Sequence, residues 1–260
     1  MTDETAVVKK ENTAVALPDY IENEQKGAES LGAKDVIIPR LKLVQGLSDE
    51  HVDSGIAEGN FVNAITKENY GTKINMAVIL ATKGLIMFEK GKKGKDAKII
   101  SRSFAGNMIP PLKPELVLDP KNQQWTEEII KDDDGVVTGK KPVPPRAITV
   151  YQYIVLVNGR DMLSFSLMKT GVKAAKQLNT LLKMKNIPTY SQNFTVESVL
   201  TKSDAGPYYG VKIDPAGYVA KELYIALAMK YEAMATSNIV TDFEDEPEKP
   251  VAKSTTESDI

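Results

Sequence analysis

The 260-residue chain contains no cysteine and only one histidine, His51. Without cysteine there is no disulfide framework, no thiol nucleophile and no thiolate metal site, and one histidine excludes a multi-histidine zinc site. No apolar run approaches the ~18 residues of a membrane span, and the first residues lack the apolar core of a signal peptide. We therefore expect a cytoplasmic protein with no membrane partner.

Motifs of enzyme active sites are also missing. The sequence has no Walker A loop, no GxSxG, no HExxH and no GxGxxG. The acidic run Asp132-Asp133-Asp134 lacks the spacing of a calcium loop, so we interpret it as a solvated turn. These absences predict a protein that is not an enzyme and needs no metal or cofactor.

The formal net charge of −2 hides an uneven distribution. Residues 1–29 carry a net charge of −4, residues 241–260 carry −5, and the segment between them carries +7. An acidic arm and an acidic tail thus flank a basic body, which is the composition of a protein with an anionic partner.

Periodicity divides the chain into three parts. Residues 1–30 and 237–260 are charged, have little apolar periodicity and are predicted to be disordered. Residues 31–236 are predicted to form a single domain with a proline-rich insertion at 105–146. Alternating apolar residues predict strands near 60–66, 73–88, 98–104, 147–157, 162–168, 192–202 and 207–213, and helical spacing predicts helices near 171–185 and 218–234.

Neighbouring strands in this pattern are joined mostly by short turns. The dipeptide Asn158-Gly159 between two β runs is a strong hairpin signal. The expected fold class is therefore α+β and mainly antiparallel β, or a β-barrel with two appended helices.

Basic and aromatic residues alternate along the predicted strands. Single-stranded nucleic acid is bound by cations that contact phosphates and by exposed rings on which bases stack. Tyr151 and Tyr153 are two residues apart and share one face of a strand. The candidate nucleic-acid-binding residues are Arg40, Lys42, Lys92, Lys93, Lys95, Arg102, Phe104, Tyr151, Tyr153, Lys169, Lys173, Lys176, Tyr208 and Tyr209.

Each group of candidates has a structural alternative. The lysines of 90–95 also fit a solvated loop, and the tyrosines fit a sheet core. The lysine stripe, which consists of Lys169, Lys173, Lys176 and Lys183, fits an ordinary solvated helix face. The acidic segment Asp242, Phe243, Glu244, Asp245 and Glu246 fits a solubilising tail. It equally fits a segment that masks the basic body or recruits a replication protein such as a polymerase, helicase or primase.

Two stretches of the sequence resemble a family of phage-encoded single-stranded-DNA-binding proteins. The first is Ile38-Pro39-Arg40-Leu41-Lys42-Leu43-Val44-Gln45-Gly46-Leu47-Ser48, and the second runs from Ser164 through Lys176-Gln177-Leu178, with further similarity over 194–209. The resemblance implies an OB-like barrel, a role in replication or recombination in the host cytoplasm, and no catalysis. Relatives carry cysteines with metal-like spacing in the region of 101–146, and this chain has none. We therefore expect Trp125 and its neighbours to hold the insertion by packing, or the insertion to be loosely ordered.

The main hypothesis is a protein that coats single-stranded DNA, as a monomer or as a homo-oligomer. A virion or scaffold protein with a protein partner is one alternative, and a strand-annealing recombination protein is another. Net charge cannot distinguish the three.

Overall fold

A computed structural model describes residues 37–89, 98–106, 109–131, 136–203, 206–235 and 240–241. The predicted loop lysines Lys92, Lys93 and Lys95 lie outside these ranges, as do the predicted arm 1–30 and tail residues 242–260. Val240–Thr241, inside the segment predicted as tail, forms a short strand that pairs in parallel with Ile37–Ile38. No helix among the described residues is long and apolar enough to cross a membrane.

The main sheet is antiparallel and has six strands. They are β5 (Lys73–Phe88), β6 (Ile99–Phe104), β9 (Ala147–Val157), β10 (Asp161–Met168), β11 (Gln192–Ser203) and β12 (Gly206–Tyr218). Their order is β10-β9-β5-β11-β12, with β6 paired to the end of β5. Asn158 and Gly159 both have positive φ, 50° and 73°, which is the backbone of the predicted primed turn. The α+β, mainly antiparallel fold is confirmed.

Helix α4 (Val172–Met184) connects β10 to β11. Five strands in this order, with a helix between the third and the fourth, have the connectivity of an OB fold. An OB barrel closes by pairing its third strand with its fifth, here β10 with β12. Among the described residues no ladder joins these two strands, so the observed sheet has the strand order of the predicted barrel without a paired seam.

A small sheet and two further helices complete this part of the chain. The sheet consists of β2 (Leu41–Leu43), β3 (Phe61–Asn63) and β4 (Asn69–Gly71), with the short helix α1 (Asp49–Val52) between β2 and β3. The parallel pair is β1 (Ile37–Ile38) and β13 (Val240–Thr241). Helix α5 (Lys221–Ala235) begins after β12, so Tyr218, predicted as the first helical residue, instead ends a strand.

The two faces of the main sheet bury separate cores. Alternation along β5 directs Ile74, Met76 and Val78 to the face covered by α4, and Ala77 and Ile79 to the face covered by α5. Leu178 of α4 and Leu227 of α5 are fully buried at these contacts. Burial on both faces explains why the sequence of β5 is an almost continuous apolar run.

The predicted insertion has regular structure. It forms α2 (Pro114–Leu118), α3 (Pro120–Gln123) and a hairpin of β7 (Thr126–Lys131) and β8 (Val137–Val143) that is a sheet of its own. Val117 anchors it, because this side chain is fully buried beside Met87 and Ala147. Trp125 is 67% exposed, so the prediction that this ring holds the insertion by packing is wrong.

Candidate nucleic-acid interface

Helix α4 presents a basic face to solvent. Ala175, Leu178 and Leu182 recur at helical spacing and are buried, which leaves Lys173 and Lys176 exposed on the outer side. Lys169, in the 3-10 turn before the helix, is also exposed and its Nζ lies 5.3 Å from the centre of the Phe88 ring. Residues 162–196 contain five lysines and no acidic residue, so no local carboxylate neutralises this face.

An open cleft lies between the C-terminal half of α4 and strands β5 and β9. Its volume is about 590 Å³, and we call it the Tyr151 cleft. It is lined by Ala81, Thr82, Lys83, Tyr151, Asn179, Thr180, Lys183 and Met184. The described part of the lining contains two lysines and no acidic residue. Such a cleft favours an anion that also carries an apolar or aromatic group.

Strand register creates the basic and aromatic pair in this cleft. Lys83 of β5 stands directly opposite Tyr151 of β9, on the face of the sheet that α4 covers. Tyr151 is half-buried, with part of its ring packed on the core. Neither Lys83 nor Lys183 forms an ion pair within the described part of the chain. Both side chains are exposed and line the cleft.

Tyr153 is a residue of the hydrophobic core. Its ring is fully buried, and its hydroxyl donates to Asn179 Oδ1 at 2.9 Å and lies 3.2 Å from the carbonyl oxygen of Ala175. Burial raises the pKa of Tyr153, so the hydroxyl stays protonated and attaches β9 to α4. The prediction of an exposed base-stacking ring is wrong for Tyr153, and the alternative of sheet core is observed.

Arg102 and Phe104 also make contacts within the fold. Arg102 is 8% exposed, and its Nε donates to the carbonyl of Pro110 at 2.9 Å, which ties the start of the insertion to β6. The Phe104 ring lies over Gly84 of the neighbouring strand so closely that a Cβ there would come within 2.5 Å of it. Arg102 is therefore not the open cation that was predicted, and the Phe104 ring is half-buried against Gly84.

Arg40, Lys42 and Tyr209 meet at a second cleft. The segment from Pro39 to Gln45, which we call the strap, spans the open seam between β10 and β12. At one end the Pro39 carbonyl accepts from the Ser164 amide at 2.8 Å. At the other end the Gln45 side chain bonds both the amide and the carbonyl of Tyr209, each at 2.9 Å. The cleft between strap and strands has a volume of about 300 Å³.

The charges of the strap are already partnered. Lys42 Nζ lies 2.9 Å from Oε1 of Glu50, and Lys67 Nζ lies 3.0 Å from the same atom. Burial alone would raise the pKa of Glu50, but the hydrogen bonds from the two lysines outweigh it and lower that pKa to about 2. Lys42 thus holds a buried carboxylate. Arg40 also has interactions within the chain.

The two remaining tyrosines lie on the hairpin of β11 and β12. The Tyr209 ring packs on Gly59, where a Cβ would come within 2.6 Å of it. Tyr208 is half-buried opposite Thr201 on the other face of the ribbon. Neither ring lines the Tyr151 cleft.

Two polar residues of the Tyr151 cleft, Lys83 and Asn179, were not among the predicted candidates. Lys183 belongs to the lysine stripe by spacing, so the sequence contained a signal for it. Lys83 is a lone cation inside a long β run, and only the register with Tyr151 makes it part of a site. No group of three or more metal-ligating side chains occurs among the described residues.

Comparison with known proteins assigns the chain to one protein family. No curated protein and no solved structure matches the chain. A family model described as Pam3 phage gp34-like protein matches residues 8–240, which includes both clefts, the insertion and α5. The chain therefore belongs to the Pam3 phage gp34-like protein family.

Proposed function

We propose that this phage protein binds single-stranded DNA without sequence preference and without catalysis, in replication or recombination of the phage genome. The observation that carries the proposal is the Tyr151 cleft, where two lysines that form no ion pair with the described residues flank a partly exposed ring beside the acid-free helix α4. The OB-like strand order supports it, since OB folds present such surfaces to oligonucleotides.

Phosphates would contact Lys83 and Lys183 in the cleft and Lys173 and Lys176 along α4, while a base stacks on Tyr151. Stacking on an aromatic side chain contributes about 1–3 kcal/mol per base. Four phosphate contacts predict that log K falls with log salt concentration with a slope of about −3 for a single strand. Duplex DNA fits less well, because its bases are not available to the ring.

Fluorescence anisotropy of labelled oligo-dT tests the proposal. We expect Lys83→Glu/Lys183→Glu to weaken binding by about tenfold or more and to flatten the salt dependence. Lys221→Glu/Lys230→Glu on α5 is the matched control, since it changes the net charge equally at exposed lysines away from the cleft. Equal losses in both variants, or no binding by the wild type at low salt, would reject the proposal.

The contribution of the ring is tested separately. Tyr151→Leu keeps an apolar side chain against the core and removes the stacking surface. We expect weaker binding with an unchanged salt slope, because the phosphate contacts remain. Unchanged affinity would assign the cleft to phosphate alone.

The acidic tail has a place in this proposal. Residues 242–260 carry a net charge of −5 and fit a segment that competes with DNA for the basic body or recruits replication proteins.

A second candidate is a virion or scaffold protein that binds other proteins. The observation that favours it is the exposed apolar hairpin of β7 and β8, a feature that nucleic-acid binding does not require.

A further inference from the structure

No element among the described residues covers the β7–β8 hairpin. It is a two-stranded sheet of its own, and Thr126 to Ile130 are all exposed. Trp125 is 67% exposed and Ile129 is 56% exposed. An isolated two-stranded ribbon is marginally stable in water, and clustered exposed apolar side chains mark contact surfaces. The exposed apolar side chains therefore make the hairpin a candidate contact surface.

Strand alternation separates two faces of this hairpin. Glu127 and Ile129 of β7 share a face with Pro142 and Lys140 of β8, and Trp125 precedes them with the same alternation. We call this set the Trp face. Glu128, Ile130 and Lys141 belong to the opposite face. The Trp face carries the exposed indole with an isoleucine and a proline beside it, while the opposite face also carries Val137 and Val143.

The charges of the Trp face restrict its partner. Glu127 Oε2 and Lys140 Nζ form an ion pair of 2.9 Å and are both well exposed. One acid and one base make the face neutral, which offers no attraction to a polyanion such as DNA. A two-fold axis would bring the acid of one copy near the base of the other, so the face is complementary to itself.

We propose that the Trp face packs against the same face of a second copy of this chain. Two ribbons stacked at the usual sheet separation of about 10 Å would remove both indoles and both Ile129 side chains from water. Such an isologous contact closes as a dimer. The proposal does not depend on DNA binding, and a dimer would carry two Tyr151 clefts.

Trp125 is the only tryptophan of the chain, so its emission reports on this face alone. Sedimentation velocity and tryptophan emission are measured on the full chain over a concentration series, without DNA. We expect the mass to rise from one to two copies while the emission shifts to shorter wavelength in parallel, because the indole loses water. A single-copy mass at every concentration overturns the proposal. Dimerisation without an emission change also overturns it, since the contact then lies elsewhere.

Two neighbouring substitutions provide the matched test. Ile129→Thr removes apolar surface from the Trp face, and Ile130→Thr makes the same change on the opposite face at a residue that is 45% exposed. Threonine suits a strand, so both variants should keep the hairpin. We expect Ile129→Thr to weaken dimerisation about tenfold or more and Ile130→Thr to leave it nearly unchanged. Equal effects would reject the assignment to the Trp face.

Discussion

At the scale of single residues, burial separates structural polar groups from available ones. Tyr153 and Glu50 are polar, but both are buried and both have hydrogen-bond partners inside the chain. Lys83 and Lys183 have the same chemistry as Lys42, yet they line an open cleft without a carboxylate. Accessibility, more than residue type, therefore defines the candidate site.

Glu50 gives a stability prediction at this scale. Glu50→Gln should lower the free energy of unfolding by about 2 kcal/mol at neutral pH. This is less than the loss expected for breaking a fully buried ion pair, because Lys67 is half exposed. The pKa of Glu50 is about 2 in the folded chain, below its ordinary value of 4.5. The stabilisation is thus complete above about pH 4.5 and declines as the pH falls toward 2.

Urea unfolding of both proteins between pH 7 and pH 3 measures this difference. The difference in the free energy of unfolding between wild type and Glu50→Gln should become smaller as the pH falls. A gap that stays constant across this range would show that the carboxylate does not stabilise the fold through its charge.

At the scale of elements, the strap makes hydrogen bonds to both β10 and β12, which are not paired with each other in the described structure. Gln45 bonds the two main-chain groups of Tyr209 with its side-chain amide, in the manner of a strand neighbour. The Pro39 carbonyl makes the equivalent contact at the other edge. The seam between β10 and β12 is thus bridged by a segment that is remote in sequence from both strands.

Gln45→Ala should destabilise the chain by about 2 kcal/mol, because two main-chain groups of Tyr209 lose their partners together. Gln177→Ala is the comparison, since that side chain makes one hydrogen bond, to the carbonyl of Ile213 at 3.1 Å. We expect Gln177→Ala to lower the free energy of unfolding by about half as much. Thermal and urea unfolding provide both values, and equal costs would argue that the strap does not hold the seam.

At the scale of the whole molecule, charge of opposite sign is segregated along the chain. A body of +7 is followed by a tail of −5, and attraction between them is screened by salt over about 10 Å at 0.1 M. Any competition between tail and DNA must therefore be strongest at low ionic strength.

Deleting residues 242–260 should raise the affinity for oligo-dT several-fold at low salt and change it little at high salt. Anisotropy titrations of the full and shortened chains at matched salt concentrations test this. A variant with Asp242, Glu244, Asp245 and Glu246 replaced by Asn or Gln is the control for chain length. If the shortened chain binds no better at low salt, the tail does not mask the body.

The sequence by itself determined the class of fold and the absence of known active-site motifs. Apolar alternation depends on local geometry, so it located β5, β9, β10 and α4 almost to the residue, and Asn158-Gly159 marked its turn. Exposure and long-range proximity depend on register and on which face an element buries. Only the tertiary structure therefore placed Tyr153 inside and Phe104 against Gly84, left Trp125 outside, and brought Lys83, Tyr151 and Lys183 into one cleft.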